Sequence, residues 1–394
     1  MGHLRLAIIL GVVSCLAACG PTPQRELPSV ETLQAQAPVG PLPRVASPLS
    51  YDLTLRVDPR ELNFGGTAVI RVSLSEAAGG IWLHGQGLDV SAVRLRAGAA
   101  EFEGRWVDVL PSGVAWLSFQ RRLVPGEVTI EIDYTAPFDA NLSGLFRVEE
   151  QGDAYALAKS ESVQARKFLP GFDEPRYKAP FKVSLIIPED DVAITNSPEL
   201  RREPADEGFV KIDYKETRPL PTYLLSLAVG PFDEVEVAPM PPNDIRSWSV
   251  PLKGYTRVGR GEQIAYALET APEIVRVFEE AFKVPYPYEK LDIVAAPQWP
   301  SGATELAAAI TYRETRILYG ESSGPAVRRS LLDVHSHEIA HMWFGDLVTP
   351  PWWDDLWLKE AFASWGTMVS LGTRRHAPRQ PVECAGGTRT NHAQ

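Results

Sequence analysis

The sequence predicts an α+β chain, with an antiparallel β sandwich or saddle-shaped sheet first and an α/β unit with metal-binding helices second. Three observations predict it. From Ser50 onward, short apolar runs alternate with period two between Gly, Pro and Asn turns. Beyond residue 243 the period lengthens to that of amphipathic helices. One of those helices contains His337-Glu338-Ile339-Ala340-His341.

The first element is a targeting segment. His3 and Arg5 precede an apolar run over residues 6–16, shorter than the roughly 20 residues a spanning helix needs. It ends in Leu16-Ala17-Ala18-Cys19-Gly20, small residues before a cysteine, which resembles a bacterial lipobox. The expectation is a lipoprotein signal peptide over 1–18, cleavage before Cys19 and a lipid anchor on its thiol. The alternative is an ordinary signal cut near Ala18. Gly20 in place of Asp points, by analogy with such lipoproteins, to the outer membrane, at its periplasmic side or the cell surface. Residues 19–48 are rich in Pro, Gln and Ala and read as a tether.

The β domain is expected over residues 49–232, with strands at 51–57, 66–72, 128–134, 181–187 and 222–229. A Pro-rich connection at 238–243 follows. Then come a helix over 263–282, a strand over 291–295, and helices over 326–344 and 354–371. An irregular tail occupies 372–394. The 394 residues, 44% hydrophobic, give room for two or three domains. A net charge of −11 argues against nucleic acid as a partner. The three cysteines, Cys15, Cys19 and Cys384, offer the folded part neither a disulfide framework nor a thiolate metal site.

A metal must therefore be held by His and carboxylate. Positions i and i+4 share a helix face, so His337 and His341 reach one ion from consecutive turns. Zinc in a catalytic site takes a third protein ligand and keeps one position for water. Glu360, with eighteen residues between it and His341, supplies the third. The metal would bring the water pKa near 7, and Glu338 would take its proton and pass it to a leaving amine. A five-residue pattern also arises by chance in proteins that bind no metal. Helix context, the third carboxylate and the flanking aromatics decide for zinc, one Zn2+ per chain. His335 points to another helix face and reads as packing. His84, His376 and His392 show no partner in the sequence, while Asp354 and Asp355 are candidates for orienting a zinc-bound imidazole.

Residues 337–345, His-Glu-Ile-Ala-His-Met-Trp-Phe-Gly, and 357–363, Trp-Leu-Lys-Glu-Ala-Phe-Ala, resemble the aminopeptidase N family of zinc exopeptidases, which are gluzincins. Gln164-Ala165-Arg166, residues 170–175 (Pro-Gly-Phe-Asp-Glu-Pro), Lys178-Ala179 and Tyr312-Arg313-Glu314 carry the resemblance further, over about residues 51–364. It implies a thermolysin-like catalytic domain over 233–371 and a peptide substrate with a free N-terminus. It also implies two carboxylate anchors for the substrate's α-amino group. Gly302-Ala303-Thr304-Glu305-Leu306 stands where the family has Gly-x-Met-Glu-Asn, so Gly302, Ala303 and Glu305 are the implied substrate-binding residues. Glu161 is the implied second anchor.

Thr304 and Leu306 depart from the family pattern and would reshape the first specificity pocket. The sequence ends at Gln394 without a counterpart of the family's transition-state-stabilising Tyr or its C-terminal helical domain; Tyr319 is out of place for that role. The expectation is a truncated aminopeptidase with turnover lowered roughly 100- to 1000-fold. A zinc- and peptide-binding lipoprotein without catalysis is the first alternative. A leukotriene-hydrolase-like epoxide hydrolase is the second, disfavoured by Asp173-Glu174-Pro175. Nothing in the sequence sets an oligomeric state.

Overall fold

The computed structural model describes residues 28–320 and 323–374. Ten strands in the first half make one sheet, built outward from strand Ala46–Arg56. That strand runs antiparallel to Asn63–Leu74, with Leu53 opposite Ala68, and parallel to Phe181–Pro188, with Tyr51 opposite Phe181. Alternation places Tyr51, Leu53, Leu55 and Val57 in the core with Ala68, Ile70 and Val72, while Asp52 faces water. The Tyr51 and Phe181 rings stack at 4.5 Å, a cross-strand contact that pins the register.

A second sheet of four strands holds Val192–Thr195, Leu227–Gly230, Asp153–Lys159 and Gly144–Glu150, in that order. Its Phe146, Tyr155, Leu157, Ile194 and Ala228 form one apolar cluster with Val294, Trp299, Leu306 and Ala309 from the second half. Burial of that shared cluster fixes the two halves against each other.

The second half is a five-stranded sheet with helices against it. Its order is Phe232–Met240, Val250–Arg257, Leu291–Ala296, Ala309–Arg313 and the short edge strand Ala303–Thr304. Val250–Arg257 and Leu291–Ala296 pair in parallel, so the chain between them must cross over; it does so through helix Ala265–Phe282. Leu291–Ala296 is buried at every position, which its unbroken run of mostly apolar residues anticipates. Pro325–His341 and Leu356–Arg374 complete the helical layer. Gly366 permits their close approach: a Cβ there would sit 3.0 Å from Ala340 Cβ and 3.2 Å from the Phe278 ring.

Several boundaries differ from the sequence expectation. The stretch read as a tether contains a helix, Val30–Gln36, capped by the Ser29 hydroxyl, and its Leu33 and Leu42 are buried. Leu42 N donates to Glu174 Oε1 at 2.5 Å and Leu42 O accepts from Arg176 Nη2 at 2.6 Å. Isolated anchor residues leave no period to detect, which is why this stretch read as unstructured. Phe232, placed at the end of the β domain, opens a strand of the second half and pairs with Arg257. The Pro-rich connection accordingly begins inside that strand. Helix Leu356–Arg374 extends three residues into the supposed irregular tail. The signal segment, Cys19 and residues 375–394 lie outside the described residues.

Candidate functional site

Helix Pro325–His341 starts with Pro in its first turn, where the missing N–H costs nothing, and ends on the second histidine. His337 and His341 sit one turn apart, with their Nε2 atoms 3.1 Å from each other. Glu360, in the first turns of Leu356–Arg374, brings Oε2 to 3.2 Å from His337 Nε2 and 3.5 Å from His341 Nε2. Ligand atoms bound tetrahedrally to zinc at about 2.0–2.2 Å lie roughly 3.3–3.6 Å apart. The three donor atoms match that triangle within a few tenths of an ångström, and their chemistry, two imidazoles and a carboxylate, suits zinc. His341 Nδ1 lies 2.9 Å from the Phe344 carbonyl. A carbonyl can only accept, so Nδ1 carries the proton and Nε2 offers its lone pair inward.

The chain must turn sharply after His341 to let Phe344 reach back. Gly345, at φ +132°, makes the turn; a Cβ there would press against His341 Nδ1 at 3.2 Å. His341 is buried, whereas Glu360 is half exposed, so the triangle is closed on one side and open to solvent on the other. Burial works against the Glu360 carboxylate, but its bonds to His337 and His341 hold its pKa far below the usual range.

Glu338 points into the same space. Its carboxylate, with those of Glu305 and the ring of His341, forms a group whose donor atoms lie within 4.8 Å of one another. Burial pushes Glu338 up to about 8, with His341 opposing and the Glu305 and Glu360 charges adding to the rise. A carboxyl group poised there can exchange a proton near neutral pH.

Glu305 follows the edge strand Ala303–Thr304, whose Ala303 pairs with Tyr312, and Gly302 O accepts from Arg313 N at 3.0 Å. Glu161 comes from the other half, in the loop after Asp153–Lys159. The two carboxylates converge, and they converge on Lys359. Its Nζ bonds Glu161 Oε1 at 2.5 Å and Glu305 Oε1 more closely still. It also lies 3.4 Å from Glu360 Oε1 and 5.4 Å from the centre of the Tyr223 ring.

Both halves match known families. The Peptidase M1 N-terminal domain matches residues 47–224, and the Peptidase family M1 domain matches residues 266–385. The chain belongs to the M1 peptidase family. M1 is a zinc metallopeptidase family. Over 344 residues this M1 chain is 36% identical to Aminopeptidase M1-B of Oryza sativa subsp. japonica, covering 84% of the chain and 37% of that protein. It is 33% identical to Aminopeptidase M1 of Arabidopsis thaliana (82% and 37%) and 32% to Endoplasmic reticulum aminopeptidase 1 of Mus musculus (84% and 36%). The chain thus spans little more than a third of the length of these relatives.

The M1 segment around residues 164–178 is structural as well as local to the site. Arg166 Nε bonds Asp173 Oδ2 at 2.9 Å inside the protein, and Asp173 Oδ1 accepts from Thr222 Oγ1 at 2.7 Å. His84, for which the sequence offered no partner, accepts at Nδ1 from Asp173 N at 3.2 Å. Burial, with Arg166 and Arg176 nearby, keeps its pKa well below the usual value, so it stays neutral. His335 faces away from the triangle: it accepts from Tyr312 Oη at Nδ1 (2.8 Å) and donates from Nε2 to Ala267 O (3.2 Å).

Asp354 and Asp355 do not orient an imidazole. Both are exposed in the turn Trp353–Asp355, and the Phe344 carbonyl takes that role for His341. Two residues near the site carry the family resemblance in the sequence but were given no role there. Lys178 Nζ donates to the carbonyls of Asp346 and Leu347 at 2.8 and 3.0 Å, tying the β domain to the turn after His341. Lys359 stands in the 357–363 segment that carries the resemblance, beside the expected third ligand Glu360.

Proposed function

We propose that this chain is a zinc-dependent peptidase that removes residues from the N-terminus of peptides. The observation that carries the proposal is the His337–His341–Glu360 triangle, 3.1–3.5 Å on each side, with Glu338 buried beside it. Zinc, when bound there, would polarise the scissile carbonyl and acidify the attacking water. Glu338 would take a proton from that water on its carboxylate and return it to the leaving nitrogen. Burial and the neighbouring carboxylates support this role by raising its affinity for the proton. His341 is fixed by the Phe344 carbonyl, so it would present the same nitrogen throughout. Glu305 and Glu161 would face the substrate's amino end, and Gly302-Ala303, at the free edge of the sheet, would lie along its backbone.

A second reading, zinc and peptide binding without turnover, is favoured by Lys359, which already engages both anchor carboxylates. Export and anchoring through Cys19 are part of the proposal and rest on residues 6–20 of the sequence.

The test pairs metal content with hydrolysis of aminoacyl-nitroanilides by the full chain, alongside Glu338→Gln and Glu360→Gln. One zinc per chain and chelator-sensitive release are expected. Glu338→Gln should keep its zinc and lose about 100-fold or more in turnover, and Glu360→Gln should lose zinc. Unchanged hydrolysis by Glu338→Gln would sink the mechanism. Stoichiometric zinc without any release would favour the binding reading.

A further inference from the structure

We infer that Lys178 is a positioning residue for the metal site: from the β domain, it fixes the turn whose Phe344 carbonyl orients His341. The inference rests on the reading of His337, His341 and Glu360 as a zinc site. In the turn after helix Pro325–His341, four consecutive carbonyls divide their partners between the two halves of the protein. The first, on Phe344, accepts the His341 Nδ1 proton at 2.9 Å. The next three face the β domain. Gly345 O lies 3.5 Å from Tyr223 Oη, and Asp346 O and Leu347 O accept from Lys178 Nζ at 2.8 and 3.0 Å. One ammonium thus holds two neighbouring peptide planes, and the histidine hangs on a third.

The turn needs a hold from outside. Gly345, at φ +132°, stands between the carbonyl that orients His341 and the two that Lys178 binds. Glycine leaves the backbone free to rotate, so the Phe344 peptide plane is only as steady as the planes after it. Within the second half, Gly345 N donates to Val348 O at 2.9 Å and Asp346 N to His341 O at 3.1 Å, which closes the turn on itself. The Phe344 ring stacks on Phe362 at 4.6 Å; that places the side chain and leaves the direction of the carbonyl to the backbone. Carbonyls gathered past a helix C-terminus carry partial negative charge, and an ammonium there is stabilising. The donor is itself fixed. Ala179 exchanges both backbone hydrogen bonds with Leu220, and Tyr177, on the other side of Lys178, is buried. Groups that directly orient a metal-bound imidazole are worth about 10- to 100-fold in metal affinity. Lys178 acts through the backbone, so the lower figure is expected.

The test measures the zinc dissociation constant of the full chain by competition with a chelator. Lys178→Met, which keeps the stem and removes the donors, should raise it about tenfold. Lys178→Arg, which keeps charge and donors, should recover most of that loss. Lys167→Met is the matched control, because Lys167 Nζ also makes two bonds, to Asp139 Oδ2 and Ser143 Oγ, both at 2.8 Å and both inside the β domain. It should leave zinc affinity within about twofold, even where the two variants unfold at the same temperature. Unchanged zinc affinity in Lys178→Met overturns the inference, and so does an equal loss in Lys167→Met. Lys178→Gln, whose amide can still reach one carbonyl, is read in the same way should Lys178→Met fail to fold. A second arm uses the metal-free chain. There the His341 Nδ1 proton, followed by imidazole 1H–15N spectra, should exchange with solvent about tenfold faster in the Lys178 variant. Unaltered exchange also overturns the inference. A parent chain that binds no zinc would sink the peptidase reading alone, because proton exchange still decides the role of Lys178.

Discussion

Glu279 should be the costliest carboxylate to remove from helix Ala265–Phe282, although the same helix carries shorter ion pairs on its surface. Its Oε1 accepts from Arg246 Nε and from Tyr286 N, both at 2.8 Å, and its Oε2 accepts from Asn243 Nδ2 at 2.6 Å. Arg246 also donates to the carbonyls of Pro241 and Trp248. Both side chains of the pair are almost fully buried, at 3% and 1% exposure. Glu279→Ala therefore leaves a guanidinium in the interior without its anion, a loss of about 3–5 kcal/mol. On the outer face, Arg276 pairs with Glu273 and Glu280, and all three are 38–53% exposed. Glu273→Ala should cost about 0.3–0.5 kcal/mol, because water screens what it loses. Glu279→Gln keeps an acceptor for Tyr286 and should fall between the two. Urea unfolding of the three variants reads these differences directly. If Glu279→Ala and Glu273→Ala fall within about 1 kcal/mol of each other, burial does not set the worth of these pairs and the reasoning fails. Helix Pro325–His341 would feel the loss too, since its His335 is held through Ala267 O.

Asp191, just before strand Val192–Thr195 of the four-stranded sheet, makes a pH-dependent case. Burial raises its pKa to about 6, with Arg60 opposing and Asp58, Asp190 and Asp153 adding. The folded state thus holds this proton at higher pH than the unfolded chain, so stability is fullest below about pH 4 and falls as pH climbs through 6. Asp191→Asn should stabilise by about 1 kcal/mol at pH 7.5 and by nothing near pH 4, the full two-unit value being reduced because the neighbouring Asp190 charge is exposed and water screens its repulsion. Thermal melts at the two pH values check it, and an equal gain at both would rule out titration. Trp357 and Met368, 65% and 66% exposed and three turns apart, lie on one apolar face of helix Leu356–Arg374. The double change to Lys should cut binding of an apolar fluorescent dye severalfold while moving stability by no more than about 0.5 kcal/mol. Undiminished dye binding would place the exposed apolar surface elsewhere.

What was legible in the sequence divides by range. His337, His341 and Glu360 could be read because helix geometry alone brings the first two together, and a carboxylate in the next helix is the chemistry zinc then asks for. The strands were legible as alternation, but alternation does not name the sheet a strand joins; Phe232 and its neighbours alternate equally well in either half. Leu33, Leu42 and His84 were not legible because each depends on a partner many residues away, such as Asp173 N for His84.

Lys359 is the sharpest instance. A lysine is almost never fully buried unless it is paired, so a single letter between Leu358 and Glu360 reads by default as a solvated charge. Its burial requires Glu305, 54 positions earlier, and Glu161, 198 positions earlier, to meet at one point. Each of those carboxylates, taken alone, reads as an anchor waiting for a ligand. Only when the β domain closes over the second half does the chain bring its own ammonium to them. The same three-residue contact thus explains why a lysine can stand buried in the first turns of helix Leu356–Arg374 without driving that helix out to water.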